Sequence, residues 1–326
     1  MNSVISGKLE GLQMYTTANI TTLIPATEDV IYYTEEVINN VPRINKFLIN
    51  LNKELSVGER IQIKIETMHA RQVRLFQKFP FLIRYFLYSI DFLLNRVLPK
   101  LSLTKSLYFS ITKGKNRVIS LAEILGRLYY CGFKVIEYKR EGNLTLILSE
   151  KIQDPILSKN PSYGLIVKLC RVGYKGKLKT FYKLRSMHPY SEFIQEYVFH
   201  KNSLAEGGKL NNDFRITSWG KFLRALWIDE IPMSINYLKG DIKLVGVRPL
   251  SQQYFKLYPT DIQKLRTSFK PGLIPPFYAD MPVTFEEIVE SERKYLIQYQ
   301  KNPFKTDVKY FFKAMRNILI KNVRSR

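Results

Sequence analysis

Residues that build disulfides and metal sites are scarce in this sequence. Its 326 residues include two cysteines and three histidines, and the histidines are scattered along the chain at His69, His188 and His200. Cys131 and Cys170 provide neither a disulfide framework nor the paired spacing of a zinc site. This scarcity argues against a small disulfide-stabilised fold and is typical of a protein in a reducing cytoplasmic compartment.

Acidic residues are also in short supply. The chain has 51 lysines and arginines against 28 aspartates and glutamates, which gives a net charge of +23. This excess is typical of proteins whose partners carry phosphate, whether nucleic acid, anionic lipid or nucleotide. The sequence contains no zinc finger and no RNP motif, so we expect no nucleic-acid partner. Its length and 45% hydrophobic content predict two domains, each with its own core.

Long uninterrupted hydrophobic runs are missing. Met1 to Lys8 lacks a basic segment followed by an apolar core, so we expect no signal peptide. The most apolar stretch, Phe79 to Pro99, is interrupted by Arg84, Asp91 and Asn95 on one helical face. Burying such residues in lipid costs about 2.5–3.5 kcal/mol each. The stretch therefore predicts an amphipathic helix over residues 79–99 that lies on an anionic membrane and keeps its polar face wet. A helix packed against the N-terminal domain is the alternative.

The N-terminal half has a mixed pattern. Residues 58–66 alternate as a strand does, residues 120–130 predict a helix, and residues 133–139 and 144–148 predict a closing hairpin. This order is weakly similar to the second half of a class I methyltransferase domain. The glycine-rich cofactor loop of that fold is missing, because Gly7 and Gly11 are the only glycines before Gly58. We interpret residues 1–155 as a degenerate α/β domain that ends at a junction between Ile152 and Tyr163.

A second hairpin opens the C-terminal half. Apolar runs over residues 164–169 and 178–182 flank Gly173-Tyr174-Lys175-Gly176, a plausible turn. Lys183 and Arg185 follow, two residues apart. On an extended strand they point to the same face, where they could hold one diphosphate. A solvated strand edge is the alternative interpretation.

An acidic pair, Asp229-Glu230, lies between an apolar run and Pro232. Proline fits the first turn of a helix, so the pattern predicts a helix that begins near Pro232 and ends at Gly240. Both carboxylates would then lie just before a helix N-terminus. An ionised aspartate can attack phosphorus or bind a divalent cation when nearby cations offset the charge. An ordinary helix-cap carboxylate beside a surface glutamate is the alternative.

A run of motif residues extends from Asn212 to Pro249. It consists of Asn212, Asp213, Arg215, Thr217, Gly220, Phe222, Leu223, Arg224, Asp229, Glu230, Pro232, Leu238, Lys239, Gly240, Asp241, Leu244, Val245, Gly246, Arg248 and Pro249. Shorter motifs flank it at residues 171–173, 181–187 and 270–272. With these motifs the chain resembles the polyprenyl-phosphate sugar phosphotransferases, also called bacterial sugar transferases or monotopic phosphoglycosyl transferases, over roughly residues 160–320, about half of the chain.

The resemblance implies an α+β fold, with a helix-rich catalytic domain with short strands over residues 156–326 after the smaller α/β domain. It implies that Asp229 attacks a UDP-sugar and that polyprenyl phosphate accepts the sugar phosphate, which initiates exopolysaccharide or surface-glycan synthesis. Asp229 and Glu230 would be the catalytic residues and the Mg²⁺ ligands. The implied substrate phosphate-binding residues are Lys183, Arg185, Arg215, Arg224, Arg248 and Lys270. A peripheral or monotopic position at the cytoplasmic face of the bacterial inner membrane is also implied.

Three positions depart from the family pattern. Val247 replaces the first proline of P-R-P, Pro275 replaces a turn glycine, and Trp227-Ile228 replaces a small or polar residue and leucine. These departures leave open a non-catalytic relative that binds nucleotide-sugar or scaffolds a glycan assembly complex. Arg248 either grips the substrate diphosphate or braces the acidic pair through a salt bridge. A homo-oligomer also stays open.

Overall fold

The computed structural model describes residues 20–22, 31–34, 36–156, 164–202, 204–205, 209–210 and 213–320. Met1 to Lys8, Gly7, Gly11, Asn212 and residues 157–163 of the expected junction lie outside these ranges. Packing divides the chain into one compact unit of residues 1–163 with 188–196, and another of residues 164–187 with 197–326. Helices and small sheets are mixed along the chain, and the predicted α+β class is confirmed.

The first unit contains a five-stranded sheet with helices inserted between its strands. Its elements are β1 (Ile20–Thr22), β2 (Ile31–Thr34), α1 (Ile44–Glu54), β3 (Arg60–Ile65), α2 (Met68–Lys78), α3 (Phe81–Phe92), α4 (Ser102–Thr112), α5 (Leu121–Tyr130), β4 (Phe133–Glu141) and β5 (Leu144–Lys151). The strand order is β1-β2-β3-β5-β4, in which only β2 and β3 pair in parallel. The predicted strand, helix and hairpin are confirmed, and the similarity to methyltransferases stays a prediction.

Alternation and capping explain the centre of this unit. In β3 the isoleucines at 61, 63 and 65 are buried, while the polar residues between them are partly exposed. Helix α5 begins where the Ser120 hydroxyl accepts a hydrogen bond from the Glu123 backbone N–H. Its buried face carries Ile124, Leu125 and Leu128. The core of this unit therefore includes β3 and α5, together with the buried Phe47, Leu48 and Leu51 of α1.

The predicted helix over 79–99 is interrupted, and its polar face is not wet. Helix α3 ends at Phe92 and continues as a π-helical turn (Leu93–Val97) and a 3₁₀ turn (Leu98–Lys100). Arg71 Nε donates to Asp91 Oδ2 at 2.7 Å, and Asn95 Nδ2 donates to Asp91 Oδ1 at 2.9 Å. The polar face thus turns toward the protein because it finds partners there. The alternative of a helix packed against the N-terminal domain is confirmed for this face, since Phe76 of α2 contacts the Tyr85 ring with centroids 4.9 Å apart, although no residue of α3 is fully buried. Within the described ranges, no helix is long and apolar enough to cross a bilayer.

The second unit combines a hairpin with a helical bundle. Its elements are β6 (Ile166–Val172), β7 (Leu178–Leu184), α6 (Gln195–Asn202, whose first two residues pack with the first unit), β8 (Leu204–Ala205), β9 (Lys209–Leu210), α7 (Ser218–Ala225), α8 (Ser234–Leu238), β10 (Lys243–Val245), α9 (Gln252–Phe255), α10 (Thr260–Thr267), β11 (Gly272–Ile274), α11 (Phe277–Asp280), α12 (Phe285–Lys301) and α13 (Pro303–Ile320). The predicted hairpin is confirmed as the antiparallel pair of β6 and β7.

Two short parallel strands connect the hairpin region to the bundle. β10 pairs with β11 in the register Lys243↔Gly272 and Val245↔Ile274. The two backbones approach closely at glycines, because a Cβ atom on Gly272 would lie 2.1 Å from the Gly246 nitrogen. Val245 and Ile274 belong to a buried core that includes residues of α11, α12 and α13. The segment after β10 is therefore held firmly at its base.

Candidate functional site

Helix α7 is fixed to the chain that follows β7. The Thr217 hydroxyl accepts from the Gly220 N–H at 2.8 Å, and the Thr217 N–H donates to the Ser186 carbonyl at 3.0 Å. A Cβ atom on Gly220 would lie 1.7 Å from the same carbonyl oxygen, so this contact requires glycine. One turn later, Arg224 Nε donates to the Ser186 hydroxyl at 2.9 Å. The contacts set the position of the Arg224 guanidinium.

The acidic pair lies on a tight helical turn. Trp227 has a left-handed backbone (φ 58°), and its ring packs on Tyr278 with centroids 4.9 Å apart. A 3₁₀ helix (Ile228–Met233) begins directly after it and contains Pro232. Met233 packs in a buried cluster with Phe181 of β7 and fastens the turn to that strand. Asp229 and Glu230 are therefore the second and third residues of this turn.

The prediction that the helix begins near Pro232 is wrong. The α-helical part, α8, begins two residues later at Ser234, and the carboxylates lie inside the preceding 3₁₀ helix rather than before a helix. The physical reason is the left-handed Trp227, which turns the chain early enough for a 3₁₀ helix to form before the proline. The predicted end is confirmed, since Gly240 has a φ of 70°. Both carboxylates lie in the first turn of the 3₁₀ helix.

Asp229 is buried and under-satisfied. Its exposed fraction is 4%, and its Oδ1 atom accepts no hydrogen bond from the part of the chain that the structure describes. Burial raises the pKa of Asp229 above its ordinary value, and Glu230 adds to the rise. Lys183, Arg224 and Arg248 act in the opposite direction. The carboxylate is thus poorly solvated but stands in the field of three cations, which is the setting of a reactive carboxylate.

Glu230 holds two of these cations. Lys183 Nζ donates to Glu230 Oε1 at 2.5 Å, and an Arg248 guanidinium nitrogen donates to the same oxygen at 3.4 Å. Burial opposes ionisation of Glu230, but Lys183 and Arg248 outweigh it and hold its pKa below the ordinary value. Burial and the nearby Arg248 lower the pKa of Lys183, and Glu230 offsets part of this decrease. Ionised Glu230 therefore fixes the positions of the Lys183 ammonium and the Arg248 guanidinium.

Arg248 combines a fixed backbone with an accessible side chain. Its carbonyl accepts a hydrogen bond from the buried Arg266 at 2.5 Å, and Arg266 is in turn paired with the buried Glu292. Its own side chain is 37% exposed, more than Lys183 at 17%. Arg248 braces Glu230, as one of the two interpretations expected, and still presents part of its fork to solvent.

Three predicted residues have their main contacts elsewhere. Arg215 forms a two-point pair with Asp213, with N···O distances of 2.8 and 2.7 Å. Arg185 lies one residue beyond β7, and its Nε donates to the Gly164 carbonyl at 2.8 Å, while Lys183 reaches Glu230. Lys270 is exposed and lies beside Gly240. The structure brings together Lys183, Arg224, Asp229, Glu230 and Arg248; for the other three a role in phosphate binding stays a prediction.

The departures from the family pattern are accommodated by packing. Val247 is buried in the bundle core, and its carbonyl accepts from the Gly272 N–H at 2.9 Å. Pro275 and Pro276 directly precede α11, and their carbonyls accept hydrogen bonds from the Tyr278 N–H at 3.2 Å and from the Ala279 N–H at 2.8 Å. Neither position leaves the Arg248 backbone loose.

Sequence reasoning missed the residues behind the cluster. Arg266 supports Arg248, and Arg171, whose pKa is lowered by burial and then by Arg248, adds positive charge beside it. Arg171 was visible only as part of a short motif. Arg266 carried no signal, because a helical arginine in α10 looks like a solvated residue until its contacts are known.

The acidic pair has the ligand chemistry of a Mg²⁺ site. The described residues contain no cluster of three or more His, Cys, Asp or Glu side chains suited to a metal. Mg²⁺ commonly needs only one or two carboxylates, with water and substrate phosphates as its other ligands. The unpartnered Oδ1 of Asp229 is a free ligand of the right chemistry. Glu230 is its neighbour, so the donor set fits Mg²⁺ brought in with a phosphate substrate.

Comparison with known proteins identifies relatives of the C-terminal half. A galactosyl transferase (CpsE) of Streptococcus agalactiae is 35% identical over 154 residues, which are 46% of this chain and 33% of that protein. The uncharacterized sugar transferase EpsL of Bacillus subtilis is 39% identical over 106 residues, 32% of this chain and 46% of EpsL. An undecaprenyl-phosphate galactose phosphotransferase of Salmonella typhimurium is 38% identical over 108 residues, which are 32% of this chain and 22% of that protein.

Each of these matches spans less than half of the relative's own length. The family described as bacterial sugar transferase matches residues 155–321, half of this chain and all of the cluster around Asp229. The chain belongs to the bacterial sugar transferase family.

Proposed function

We propose that this protein transfers a sugar 1-phosphate from a UDP-sugar to a polyprenyl phosphate, with Asp229 as the nucleophile. The observation that carries the proposal is the buried Asp229 carboxylate, which has an unpartnered oxygen in the field of Lys183, Arg224 and Arg248. Family membership and the names of the relatives support the reaction class.

The first half-reaction forms a covalent intermediate. An Asp229 oxygen attacks the sugar-proximal phosphorus, the bond from that phosphorus to the bridging oxygen breaks, and UMP leaves with the bond electrons. In the second half-reaction a phosphate oxygen of the polyprenyl phosphate attacks the same phosphorus and displaces the carboxylate. The products are UMP and a polyprenyl diphosphate-linked sugar, and Asp229 is regenerated as an ion.

The cations provide electrostatic stabilisation at each step. A diphosphate and a carboxylate repel each other, so the approach requires fixed positive charge. Lys183 and Arg248 are held by Glu230, and Arg224 by Ser186, before substrate arrives. Mg²⁺, held by Asp229 Oδ1 and Glu230 together with the substrate, would neutralise diphosphate charge when bound. Glu230→Gln should accordingly weaken the dependence of the rate on Mg²⁺, and an unchanged metal titration would contradict this role.

An apolar rim beside the pair supports a lipid acceptor. The side chains of Ile231, Ile235 and Leu238 follow Asp229 at helical spacing and are exposed. Phe222 on α7 and Leu226 directly after this helix are exposed as well. Exposed apolar groups at this spacing next to a cationic cluster suit a molecule with a phosphate head and a hydrocarbon chain. We extend the proposal to initiation of exopolysaccharide synthesis at the cytoplasmic face of the membrane.

The experiment is a product assay with purified protein, Mg²⁺, undecaprenyl phosphate in detergent, and a panel that includes UDP-galactose and UDP-glucose. We expect acceptor-dependent UMP release with at least one donor, and loss of turnover in Asp229→Asn with unchanged circular dichroism. Near-wild-type product formation by Asp229→Asn would refute the assignment. Donor binding by calorimetry without UMP release from any donor would instead support the non-catalytic alternative.

A further inference from the structure

The surface of helices α3 and α4 in the first unit is built opposite to that of an ordinary surface helix. Surface helices place apolar residues toward the core and polar residues toward water. Asp91 of α3 and Asn95 of the π-helical turn after it are turned inward, Asp91 to Arg71 and Asn95 to Asp91. Its apolar residues face outward, with Leu82 at 82% and Phe86 at 67% exposure. A twelve-residue helix that buries no side chain has most of its apolar surface in water.

Helix α4 adds a second apolar stripe that the sequence pattern did not indicate. Leu103, Leu107 and Ile111 lie four residues apart on one helical face, and all three are exposed. The opposite side of the helix is anchored, because Tyr108 is buried and its hydroxyl donates to the Lys115 carbonyl at 2.8 Å and to Asn95 Oδ1 at 3.3 Å. Asn95 therefore connects the polar sides of both helices. Their apolar sides, with Leu93, Leu94 and Leu101 between them, are exposed.

Charge around these helices identifies the occupant. From residue 77 to residue 122 the only acidic residue is Asp91, which is neutralised by Arg71. The basic residues in the same range are Lys78, Arg84, Arg96, Lys100, Lys105, Lys113, Lys115 and Arg117. Lys78, Lys105, Lys113 and Lys115 are exposed. Basic and aromatic residues around an outward apolar face are typical of a segment that lies in the headgroup region of an anionic bilayer.

We propose that α3 and α4 form a docking surface of the first unit for an anionic phospholipid bilayer. The surface lies in the interface plane, with the apolar stripes in the acyl boundary and the lysines at the phosphate groups. The inference rests on the proposed function only in that a polyprenyl acceptor resides in a membrane. It concerns a unit that contains none of the catalytic residues.

The test is flotation of the full-length protein with vesicles of equal parts phosphatidylcholine and phosphatidylglycerol, compared with pure phosphatidylcholine. We expect wild type to float with the anionic vesicles and to lose part of its binding at high salt. Leu82→Glu with Phe86→Glu, and separately Leu103→Glu with Leu107→Glu, should each lower partitioning by about tenfold or more. Lys78→Glu with Lys105→Glu should remove the salt-sensitive part. The matched control is Val57→Glu with Ile136→Glu, exposed apolar positions of the same unit outside the surface.

Failure of this inference can be distinguished from failure of the proposed function, because flotation needs no turnover. Wild type that never floats, or helix variants that float as well as the control, would overturn the docking surface even if detergent-solubilised protein transfers sugar phosphate. A wild-type dimer by light scattering that Phe86→Glu converts to a monomer, without flotation, would assign the surface to a second copy of the chain. Flotation without transfer would overturn only the function.

Discussion

Replacement of Lys183 by methionine isolates the cation that contacts Glu230 most closely and lies near Asp229. The change keeps chain length and apolar volume but removes the ammonium group 2.5 Å from Glu230. Both side chains are largely buried, at 17% and 16% exposure, so Glu230 would be left with Arg248 at 3.4 Å. Removing one partner of a buried pair costs about 3–5 kcal/mol. Because Arg248 remains, we expect the free energy of unfolding to fall by the lower end of this range, about 3 kcal/mol. The loss of one preorganised charge at the transition state is a separate effect, which we expect to lower kcat/KM by about 100-fold.

The same substitution predicts a change in pH dependence. Asp229 must be ionised to attack, so activity falls as the pH falls through its pKa. Lys183 lowers that pKa, and its removal should raise the pKa further. The acidic limb of kcat/KM should therefore move to higher pH in Lys183→Met. The assay is UMP release across a pH series for wild type, for Lys183→Met and for Lys179→Met.

Lys179 is the matched control on the same strand. It pairs with Asp241 at 3.0 Å, but its side chain is 47% exposed, and pairs of this kind contribute about 0–1 kcal/mol. Lys179→Met should keep both the rate and the acidic limb of wild type. An unshifted limb in Lys183→Met, or equal losses in the two variants, would refute the reasoning that Lys183 acts on the buried carboxylates.

Three further predictions follow from the contacts of single residues. Arg248→Lys should lose activity in the UMP assay with the fold intact, because a point charge cannot both brace Glu230 and pair two phosphate oxygens. Lys239 is exposed and lies near the Tyr182 ring, so Lys239→Ala should have a small effect in the same assay. Equal losses in the two variants would mean that general positive potential holds the substrate. Glu123→Gln should lower the free energy of unfolding of the first unit by about 3–5 kcal/mol in urea, because Glu123 is 1% exposed and neutralises Arg96, Lys100 and Arg127. Glu137 is exposed, so the control Glu137→Gln should change this free energy little. Those cations outweigh burial and depress the Glu123 pKa, so its stabilisation is present above the unfolded pKa and is lost as the pH falls; a wild type as acid-sensitive as Glu123→Gln would contradict this. Gly220→Ala should lower both stability and activity because its Cβ would meet the Ser186 carbonyl at 1.7 Å, and Gly173→Ala, with its nearest contact at 3.3 Å, should be mild by the same measurements.

The sequence predicted those features of the fold and the site that are determined by neighbouring residues in the chain, and it did not predict those that are determined by distant contacts. The β3 strand, the helix that begins after Ser120 and the hairpin of β6 and β7 follow from neighbours in the chain, and all three were predicted. The start of the helix after Asp229 was wrong because the left-handed Trp227 is set by packing against Tyr278, fifty residues away in the bundle. The contacts of the polar face of α3 were also not predicted, since periodicity gives the faces of a helix but not which of them meets the protein.

The cations around Asp229 show the same difference between local and distant contacts. The resemblance supplied a list of basic residues, and spacing could not tell which of them reach the acidic pair. Arg215 is occupied by Asp213, and Arg185 donates to a backbone carbonyl, whereas Lys183, Arg224 and Arg248 converge. Convergence depends on contacts between β7, α7 and the segment after β10, which are distant in sequence. Arg266, which supports Arg248, could be found only from those contacts.

The central claim is that Asp229 forms a covalent bond to the sugar phosphate, and intact-protein mass spectrometry tests it most directly. Purified protein would be mixed with Mg²⁺ and the UDP-sugar that supports turnover, without acceptor, and quenched. We predict a mass increase equal to one sugar phosphate, placed on Asp229 by peptide mapping, absent in Asp229→Asn and removed on addition of undecaprenyl phosphate. Acceptor-dependent product formation with no adduct on Asp229, or an adduct on another residue that forms equally in Asp229→Asn, would contradict the account.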